Sequence, residues 1–321
     1  MKNILVTGGC GYVGSVLVPA LLAAGHKVTA FDIMWFGNFL PNHNNLTVIK
    51  GDTRVIDSVP MQGFDTVIHL ANIANDPSCD IDSKISWEVN VLASKFLIEK
   101  AIKNKVAQFI YASSGSVYGV KDEPEVTEDL ELVPISDYNK TKMISERVFL
   151  SYKDSILVQI VRPATICGTS PRQRLDLSVN ILTYSALKNG IIKVFGGDQT
   201  RPNIHMQDMV RVYQHLLDRE DLSGIYNAGF ENISIMEIAR MVTKYLPAEI
   251  AVSESNDPRS YRQNSDKLLA TGFVQKYGVE TGIKEVIAAY RAGTLQDDDN
   301  CYNIKTMKKI LYNFCFFIIT L

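Results

Sequence analysis

Residues 4–15 read ILVTGGCGYVGS, a short β-branched run that leads directly into a glycine-rich loop. Residues 16–24, which follow, are apolar and rich in helix formers, and Gly25 is placed to end that helix. A strand, a glycine loop and a helix in this order are typical of a βαβ unit that binds a dinucleotide. This stretch therefore predicts that the fold begins with a nucleotide-binding unit.

The loop carries a glycine at every third position, at Gly8, Gly11 and Gly14. Without side chains, the backbone can turn tightly and bring free N–H groups to a pyrophosphate at the positive end of the helix dipole. Asp32 follows about 20 residues on, where a carboxylate accepts hydrogen bonds from a ribose 2′-hydroxyl. The pattern favours NAD over NADP, because Asp32 would repel a 2′-phosphate. The alternative is a purely structural glycine turn beside a surface aspartate.

Short apolar runs alternate with helix-period stretches along the first half of the chain. The predicted strands after the first are residues 27–31, 46–50, 66–70, 108–112 and 157–161, and helical stretches between them include residues 88–103 and 139–152. Strands that alternate with helices build parallel sheets covered on both faces. The predicted fold class is therefore α/β, a doubly wound parallel sheet (Rossmann) with a smaller C-terminal α/β domain.

The overall composition narrows the classes of ligand and location. The chain has 321 residues and a net charge of -2, with acids and bases interspersed, which predicts no binding of nucleic acid. Its five cysteines are scattered without a C-x-x-C pair, which predicts a reducing, cytoplasmic setting and no metal site. No basic, apolar leader opens the chain, so no signal peptide is expected.

The segment 308–321, KKILYNFCFFIITL, is an apolar run behind a basic pair. It is shorter than the ~20 residues that a membrane-spanning helix needs, so no membrane span is expected. A membrane-surface anchor, a packed tail, an oligomer contact and a terminus unrelated to the ancestral fold are all open interpretations. The sequence assigns residues 301–321 no function.

Two chemically active side chains stand four residues apart, Tyr138 and Lys142, in the segment SDYNKTKMISE. Ser136 or Asp137 can cap the helix that carries them, and at this spacing both project from one face. An unperturbed tyrosine has a pKa near ~10 and is a poor base at neutral pH. We expect the Lys142 ammonium and an oxidised nicotinamide ring to lower the pKa of Tyr138. The alternative is a solvated helix face, because Y-x-x-x-K is common by chance.

Six segments carry a resemblance to a known family. They are GGCGYVGS (residues 8–15), Asp32, Gly51 with Asp52, HLA (residues 69–71), YASSGSVYG (residues 111–119) and YNKTK (residues 138–142). Together they resemble the extended short-chain dehydrogenase/reductases, more narrowly the NAD-dependent NDP-sugar epimerase/dehydratase family, over about residues 1–290. His69 ends a strand with a buried pattern, so we expect it to be a packing residue and not a catalytic one.

The resemblance implies roles for residues in both halves of a site. Ser114 stands at the position of the catalytic serine, Tyr138 at that of the acid/base and Lys142 at that of its ribose-binding partner. The further cofactor-binding positions it implies are Gly8, Gly11, Tyr12, Val13, Gly14, Asp32, Asp52, Thr53, Leu70, Ala71, Asn72 and Asn90. The substrate-binding positions it implies are Ser114, Ser116, Thr165, Asn180, Arg201 and Arg259, and no metal ligand is expected.

The back half departs from the family pattern at some positions. Thr165 stands where many epimerases have an asparagine, and Asn72 replaces the usual small residue after HLA. Arg201 and Arg259 match the family's two arginines, and a pair of planar guanidinium groups suits a diphosphate. The resemblance therefore predicts an NDP-sugar partner, with some sugar contacts that differ from those of the relatives.

The predicted domain organisation has three parts. Residues 1–165, with a returning segment at about 204–229, form the NAD-binding domain. Residues 166–203 and 230–300 form the NDP-sugar-binding domain, and residues 301–321 form a tail. A homodimer or higher homo-oligomer is the habit of the family.

The resemblance leaves the reaction open between related chemistries. SPRQRLDLSVN (residues 170–180) is similar to a subgroup of bacterial surface-polysaccharide enzymes, and Arg172 and Arg174 within it could touch nucleotide or sugar. The 4,6-dehydratases carry an Asp-Glu pair where this chain has Gly115 and Ser116, so dehydration is not expected. We expect NAD-dependent oxidoreduction at C4 of an NDP-sugar, with 4-epimerisation in surface-polysaccharide precursor synthesis favoured over a heptose or deoxysugar C4 dehydrogenase or reductase.

Two more distant interpretations are a reductase of steroid-like or flavonoid-like carbonyls and a non-catalytic NAD-binding regulator. The expected diphosphate ligands Arg201 and Arg259 argue against the first. The presence of both Tyr138 and Lys142 argues against the second. The sequence identifies neither the nucleotide nor the sugar.

Overall fold

The structure is a computed structural model, which describes residues 1–255 and 260–319. Its strands in chain order are β1 (Asn3–Thr7), β2 (Lys27–Asp32), β3 (Leu46–Lys50), β4 (Thr66–His69), β5 (Gln108–Ala112), β6 (Leu157–Pro163), β7 (Thr165–Cys167), β8 (Ile191–Phe195), β9 (Thr200–His205), β10 (Gly224–Ala228), β11 (Glu231–Ser234) and β12 (Glu249–Ser253).

Seven strands form one sheet in the order β10-β6-β5-β4-β1-β2-β3. All neighbouring pairs are parallel; Ile4 of β1, for example, lies between Val28 of β2 and Thr66 of β4. The chain runs outward from β1 through β2 and β3 and then returns to β4 on the other side of β1. At such a switch point the connecting loops diverge and leave a crevice at the carboxyl ends of the strands. The predicted doubly wound parallel sheet is confirmed.

Helices cover both faces of this sheet. The α-helices of the described chain, in order, are α1 (Gly14–Ala23), α2 (Asp76–Cys79), α3 (Ser83–Trp87), α4 (Ser94–Lys103), α5 (Asp137–Leu150), α6 (Ser178–Asn189), α7 (Met206–Leu217), α8 (Ile235–Thr243), α9 (Asp266–Leu269), α10 (Val279–Arg291) and α11 (Asn303–Ile319). Leu17 of α1 and Val212 of α7 belong to the apolar core on one face, and Leu97 of α4 and Phe149 of α5 to the core on the other.

A smaller layer lies beyond β6. It contains a three-stranded sheet in the order β11-β9-β7 and the parallel pair β12-β8. Helices α6, α8 and α10 enclose a separate core that includes Ile192, Ile238 and Ile283. Helix α8 begins with a capping box between Ser234 and Glu237. Strand β10 returns the chain to the main sheet, and the predicted domain boundaries stay a prediction.

Two segments differ from the expected elements. The helix expected over residues 88–103 starts as a π-helical turn, Glu88–Ala93, before α4. The tail forms a short turn, Asp299–Cys301, and then α11, which packs back against α2. Within the described ranges, no helix has the length and apolarity that crossing a membrane would take.

Candidate active site

A cleft of about 900 Å³ runs along the carboxyl edge of the main sheet, from the glycine loop to the smaller layer. Its volume lies at the upper end of the range of small-molecule and cofactor sites. The structure brings most of the predicted site residues to its walls. They are Gly8, Gly11, Tyr12, Val13, Gly14, Asp32, Asp52, Thr53, Leu70, Ala71, Asn72, Ser114, Ser116, Tyr138, Lys142, Thr165 and Arg201.

The glycine loop is packed too tightly for larger residues. Gly8 has a φ of +74°, and a Cβ there would lie 2.6 Å from the backbone nitrogen of Ala71. A Cβ on Gly14 would lie 2.5 Å from the carbonyl oxygens of Gly8 and Gly9. At Gly11 a Cβ would approach the Gly8 carbonyl at 3.2 Å and no other described atom within 4 Å, so this position faces open space. The loop thus combines close packing with access for a ligand.

Helix α1 begins at this loop without a capping side chain from any residue that the structure describes. Val13 is the N-cap residue, and the first turn holds no acidic side chain that would compete with an anion. The leading N–H groups of a helix have no partner within it and carry the positive end of its dipole. This helix start therefore fits the pyrophosphate of a dinucleotide.

Asp32 ends β2 beside the loop. Its Oδ2 accepts a hydrogen bond from the Cys10 nitrogen at 3.0 Å, and its Oδ1 accepts one from the Met34 nitrogen at 2.7 Å. Each oxygen keeps acceptor capacity for a ligand hydroxyl. Burial raises the pKa of this carboxyl, although the two backbone hydrogen bonds and the Arg172 guanidinium act in the opposite direction. The position and the free acceptor capacity fit a cofactor ribose.

Polar side chains lie on the walls beside the loop. Asp52 and Thr53 lie at the outer end, and the Arg54 guanidinium neutralises Asp52 with an Nη2–Oδ2 distance of 2.7 Å. On the opposite wall, Asn72 Nδ2 donates to the Leu70 carbonyl at 3.0 Å. The Asn72 Oδ1 is buried and has no hydrogen-bond partner among the described residues. This oxygen is therefore available to a donor on a ligand.

The predicted catalytic residues meet at the middle of the cleft. The hydroxyl oxygens of Ser114 and Ser116 lie 2.8 Å apart, and Ser114 also hydrogen-bonds the Tyr138 phenol. Lys142 Nζ lies 5.9 Å from the centre of the Tyr138 ring. The same Nζ donates to the Ala112 carbonyl at 2.6 Å. The loop after β5 and helix α5 thus bring a hydroxyl, a phenol and an amine together.

Burial dominates the electrostatics of this group. Burial raises the pKa of Tyr138 above its ordinary value, and the Ser114 hydrogen bond offsets only part of that rise. Burial also lowers the pKa of Lys142 to about 7, so this amine does not hold a full positive charge at neutral pH. Lys142 thus does not by itself lower the pKa of Tyr138, and the expected lowering, which also includes the charge of an oxidised nicotinamide ring, stays a prediction. A further positive charge is needed beside the phenol before it can act as a base.

A buried ion pair supports the serine loop and helix α5. Arg162 of β6 binds Glu146 of α5 through Nε–Oε1 at 3.0 Å and Nη2–Oε2 at 2.7 Å. Arg162 Nη1 also donates to the Tyr118 hydroxyl at 2.7 Å, and the Ser113 hydroxyl donates to Glu146. Because Ser113 directly precedes Ser114, this pair links the position of the catalytic serine to α5.

His69 is the packing residue that the sequence predicts. Its Nδ1 lies 2.7 Å from Thr7 Oγ1, and its Nε2 lies 2.8 Å from Ser94 Oγ. Its ring stacks on Tyr111, and burial lowers its pKa to about 3. Both ring nitrogens are occupied within the core, so His69 has no free group for catalysis.

The cleft continues beyond Tyr138 between β7, α6 and β8. Thr165 and Arg201 line this end together with Lys193 and Ser178. The Ser178 hydroxyl is buried without a hydrogen-bond partner in the part of the chain that the structure describes. Two cationic side chains and a free hydroxyl suit a diphosphate and its sugar.

Arg172 and Arg174 reach the cleft from the loop between β7 and α6. Arg174 Nη2 is buried and has no hydrogen-bond partner among the residues described, and the charge of Arg174 acts against the rise in the Tyr138 pKa that burial causes. The Arg172 guanidinium lies 3.9 Å from the centre of the Phe36 ring, and burial lowers its pKa to about 10. Arg174 thus faces the reaction centre, and Arg172 faces the cofactor half.

Asn90 lies outside the cleft, although it was predicted to bind the cofactor. Its Oδ1 accepts from the Ile73 nitrogen at 2.7 Å, and its Nδ2 donates to Thr141 Oγ1 at 3.1 Å. The side chain is 1% exposed. The π-helical turn places it against the loop after β4, so it positions that loop and does not face a ligand.

Asn180 is also buried away from the cleft, although it was predicted to bind substrate. Its Nδ2 donates to the Tyr12 hydroxyl at 3.1 Å, and its Oδ1 accepts from the Gly168 nitrogen at 3.0 Å. These bonds use the amide to tie the glycine loop to α6. Arg259, the other predicted diphosphate ligand, lies outside the described residues.

The lining of the cleft also includes residues that no sequence motif indicates. Trp35 and Phe36 come from the loop after β2, and Asn303 and Met307 come from α11. The two aromatic residues shortly after Asp32 are a sequence feature from which their place in the cleft lining could have been predicted. The tail lies beyond the resembling region, so the sequence contains no comparable signal for Asn303 and Met307.

Residues 4–229 match the model of the NAD dependent epimerase/dehydratase family. The chain belongs to this family. The matched region contains the glycine loop, the serine loop and the helix of Tyr138 and Lys142, which together form the cofactor half of the cleft. The protein is thus an NAD-dependent enzyme of the epimerase/dehydratase type.

Individual relatives cover most of the chain. A UDP-glucose 4-epimerase of Halalkalibacterium halodurans is 29% identical over 296 residues, which are 82% of this chain and 87% of the relative. A 3 beta-hydroxysteroid dehydrogenase/Delta 5-->4-isomerase of Mycobacterium tuberculosis is 31% identical over 263 residues, 75% of this chain and 69% of that protein. The structure of UDP-glucuronic acid 4-epimerase from Bacillus cereus in complex with UDP-glucuronic acid and NAD is 26% identical, with a TM-score of 0.80 over 90% of this chain and 99% of that one.

Proposed function

We propose that the protein interconverts the C4 epimers of a nucleotide-diphosphate sugar, with NAD as its cofactor. One observation carries the proposal: Ser114, Tyr138 and Lys142 lie at the middle of a continuous cleft whose two ends have different chemistry. The glycine-loop end suits a dinucleotide, and the end with Arg201 and Lys193 suits a sugar diphosphate. Two of the relatives described above are 4-epimerases, which supports the same substrate class.

Three parts of the chain would hold the NAD cofactor. The start of α1, with the glycine loop, would bind the pyrophosphate, Asp32 the adenosine ribose and Lys142 the nicotinamide ribose. When bound, NAD supplies a reversible hydride acceptor and a positive charge beside the Tyr138 phenol. That charge acts against the burial that raises the pKa of Tyr138.

Tyr138 acts as the acid and base at the C4 oxygen. It takes the hydroxyl proton as C4 is oxidised and returns a proton to the same oxygen as C4 is reduced. Ser114 donates a hydrogen bond to this oxygen, and Ser116 orients the Ser114 hydroxyl through their 2.8 Å contact. Oxidation and reduction on opposite faces of the sugar give the 4-epimer, so the oxidised sugar must turn over within the cleft.

Net dehydrogenation or reduction at C4 uses the same three residues and is the second candidate. Dehydration is disfavoured by the space around the serine loop. A Cβ on Gly115 would lie 3.0 Å from the Gln263 side-chain oxygen and 3.3 Å from the Pro163 carbonyl. A side chain at position 115 would require Gln263 to shift, and neither Gly115 nor Ser116 supplies an acid for water elimination.

The steroid dehydrogenase among the relatives makes a steroid alcohol a specific competing substrate. An apolar steroid would have to cover Arg201, Lys193 and the partnerless Ser178 hydroxyl at the substrate end. Covering charged side chains and the Ser178 hydroxyl with an apolar ligand is costly. A diphosphate and a sugar satisfy the same groups, so we place the NDP-sugar first.

The test is turnover of a panel of UDP-, dTDP-, GDP- and CDP-sugars and a 3β-hydroxysteroid, followed by product chromatography and nicotinamide absorbance. We expect a 4-epimer without net absorbance change. Tyr138→Phe should lower turnover about 100-fold to 10,000-fold while NAD stays bound. The matched control is Tyr152→Phe at the end of α5, whose hydroxyl bonds Glu99. Net absorbance change with an NDP-sugar would favour the dehydrogenase, and full activity of Tyr138→Phe would exclude the mechanism.

We also propose a cytoplasmic homodimer. Leu92 and Phe96 are 52% and 45% exposed along the surface of the π-helical turn and α4, which suits a helix-face contact between two copies. Cys10, Cys79, Cys167 and Cys301 are free and buried, which suits a reducing compartment. The role in surface-polysaccharide precursor synthesis stays a prediction.

A further inference from the structure

Asn303, the first residue of α11, lies between the two rims of the cleft. Its Oδ1 accepts from Arg172 Nη2 at 2.6 Å, and its backbone nitrogen donates to Asp176 Oδ2 at 3.0 Å. Its Nδ2 donates to the Ala74 carbonyl at 3.4 Å. Arg172 and Asp176 belong to the loop before α6, and Ala74 belongs to the loop after β4. One buried residue therefore joins the substrate-side rim to the cofactor-side rim.

Met307 extends this contact one helical turn further along α11. It is 2% exposed and forms an apolar cluster with Ile73 and Cys79. Phe36 and Tyr138 pack against the same cluster. Asn303 and Met307 both line the cleft, so α11 contributes a wall beside the acid/base.

The segment before α11 is anchored to the smaller layer. The Leu175 nitrogen donates to the Cys301 carbonyl at 2.9 Å, and the Tyr184 hydroxyl donates to Asp297 at 2.7 Å. Leu175, Tyr184 and Cys301 also share a small apolar core. The start of α11 is therefore held from both sides, by this anchor and by the cofactor-side loop.

We propose that residues 297–311 form a clasp that retains NAD in the cleft through successive turnovers. For the rims to separate and release a dinucleotide, Asn303 must lose either its bond to Ala74 or its bonds to Arg172 and Asp176, and the Met307 cluster must open. The clasp lies beyond the region of residues 4–229 that matches the family. It deepens the proposed function, because epimerisation is redox-neutral and works with a retained cofactor. Net oxidation or reduction at C4 requires that the cofactor be exchanged or reoxidised.

The clasp is tested by the rate at which NAD leaves. The full-length protein is loaded with radiolabelled NAD and chased with excess unlabelled NAD. We expect Asn303→Ala and Met307→Ala to release the label at least about tenfold faster than the unaltered protein, since changes at a binding site act mainly on dissociation. Lys308→Ala, an exposed neighbour on α11, is the matched control and should release NAD at the original rate. Unchanged release from Asn303→Ala and Met307→Ala would overturn the proposal.

A second measurement needs no variant and covers the case in which a variant fails to fold. Hydrogen exchange of residues 303–311 in the unaltered protein should slow about tenfold when saturating NAD is added, because local opening and cofactor release are coupled. Exchange that is independent of NAD would overturn the clasp. Neither assay uses a sugar, so retained NAD without epimerase activity would refute the proposed function and leave the clasp standing. Epimerase activity together with unchanged NAD release from the two variants would refute the clasp and leave the proposed function standing.

Discussion

The buried ion pair between Arg162 and Glu146 allows a quantitative test of how the site is held in place. The two side chains are 3% and 1% exposed and make two direct hydrogen bonds. In Arg162→Met, Glu146 keeps the Ser113 hydroxyl as its partner among the described residues but loses its counter-charge. Removing one member of a buried pair costs about 3–5 kcal/mol, because the other charge is left uncompensated. We therefore expect Arg162→Met to lower the free energy of unfolding by about 3–5 kcal/mol.

The assay is urea unfolding followed by circular dichroism. Glu146→Leu combined with Arg162→Met removes both charges and should recover most of the loss, because an apolar pair of similar volume is often as stable as the ion pair. Lys95→Met is the control, because its pair with Glu99 is 42% and 38% exposed and should contribute little to the free energy of unfolding. The reasoning is refuted if Arg162→Met loses less than about 1 kcal/mol, or if the double variant is as unstable as the single one.

Two further predictions concern Lys142 and Asp32. Burial lowers the pKa of Lys142 from 10.5 to about 7, so between these values unfolding takes up a proton and stability rises with pH. Melting temperatures of the NAD-free protein should rise between about pH 7 and 9. The same rise is expected in Lys140→Met, a control at an exposed lysine, but not in Lys142→Met. Equal slopes of melting temperature against pH in all three proteins would contradict the lowered pKa of Lys142. Asp32→Ala should weaken NAD binding and narrow the preference over NADP in a fluorescence titration, and equal NAD and NADP affinities in the unaltered protein would rule out the role of Asp32.

The features that the sequence predicts correctly depend on short-range spacing. The alternation of apolar runs and helical stretches determines the parallel sheet, because each βαβ unit is nearly complete within a short stretch of chain. The glycine loop and the pair of Tyr138 and Lys142 are equally local: one lies between a strand and its following helix, and the other spans one helical turn. Local spacing therefore suffices to place the cofactor half of the cleft.

The errors arise where distant segments meet. The residues near Asn180 in sequence do not indicate that its side-chain amide donates a hydrogen bond to the Tyr12 hydroxyl, 168 residues away. Asn90 is turned from the cleft by a π-helical turn that ordinary helical periodicity does not predict. The raised pKa of Tyr138 results from burial by several elements, which a four-residue spacing cannot reveal. These are tertiary effects, so they appear only once the chain is folded.

The pKa shifts and the clasp together suggest why this protein would hold its cofactor tightly. By itself, the chain keeps the Tyr138 phenol protonated and leaves Lys142 only partly charged near pH 7. A protonated phenol cannot take the proton of a sugar hydroxyl, and a partly charged Lys142 favours the phenolate less than a full ammonium would. Because the missing positive charge accompanies the oxidised cofactor, a protein that released NAD after each turnover would lose its base as well as its hydride acceptor. Retention by Asn303 and Met307 would keep the two together, and a variant that releases NAD quickly should therefore regain full turnover only when NAD is added in excess.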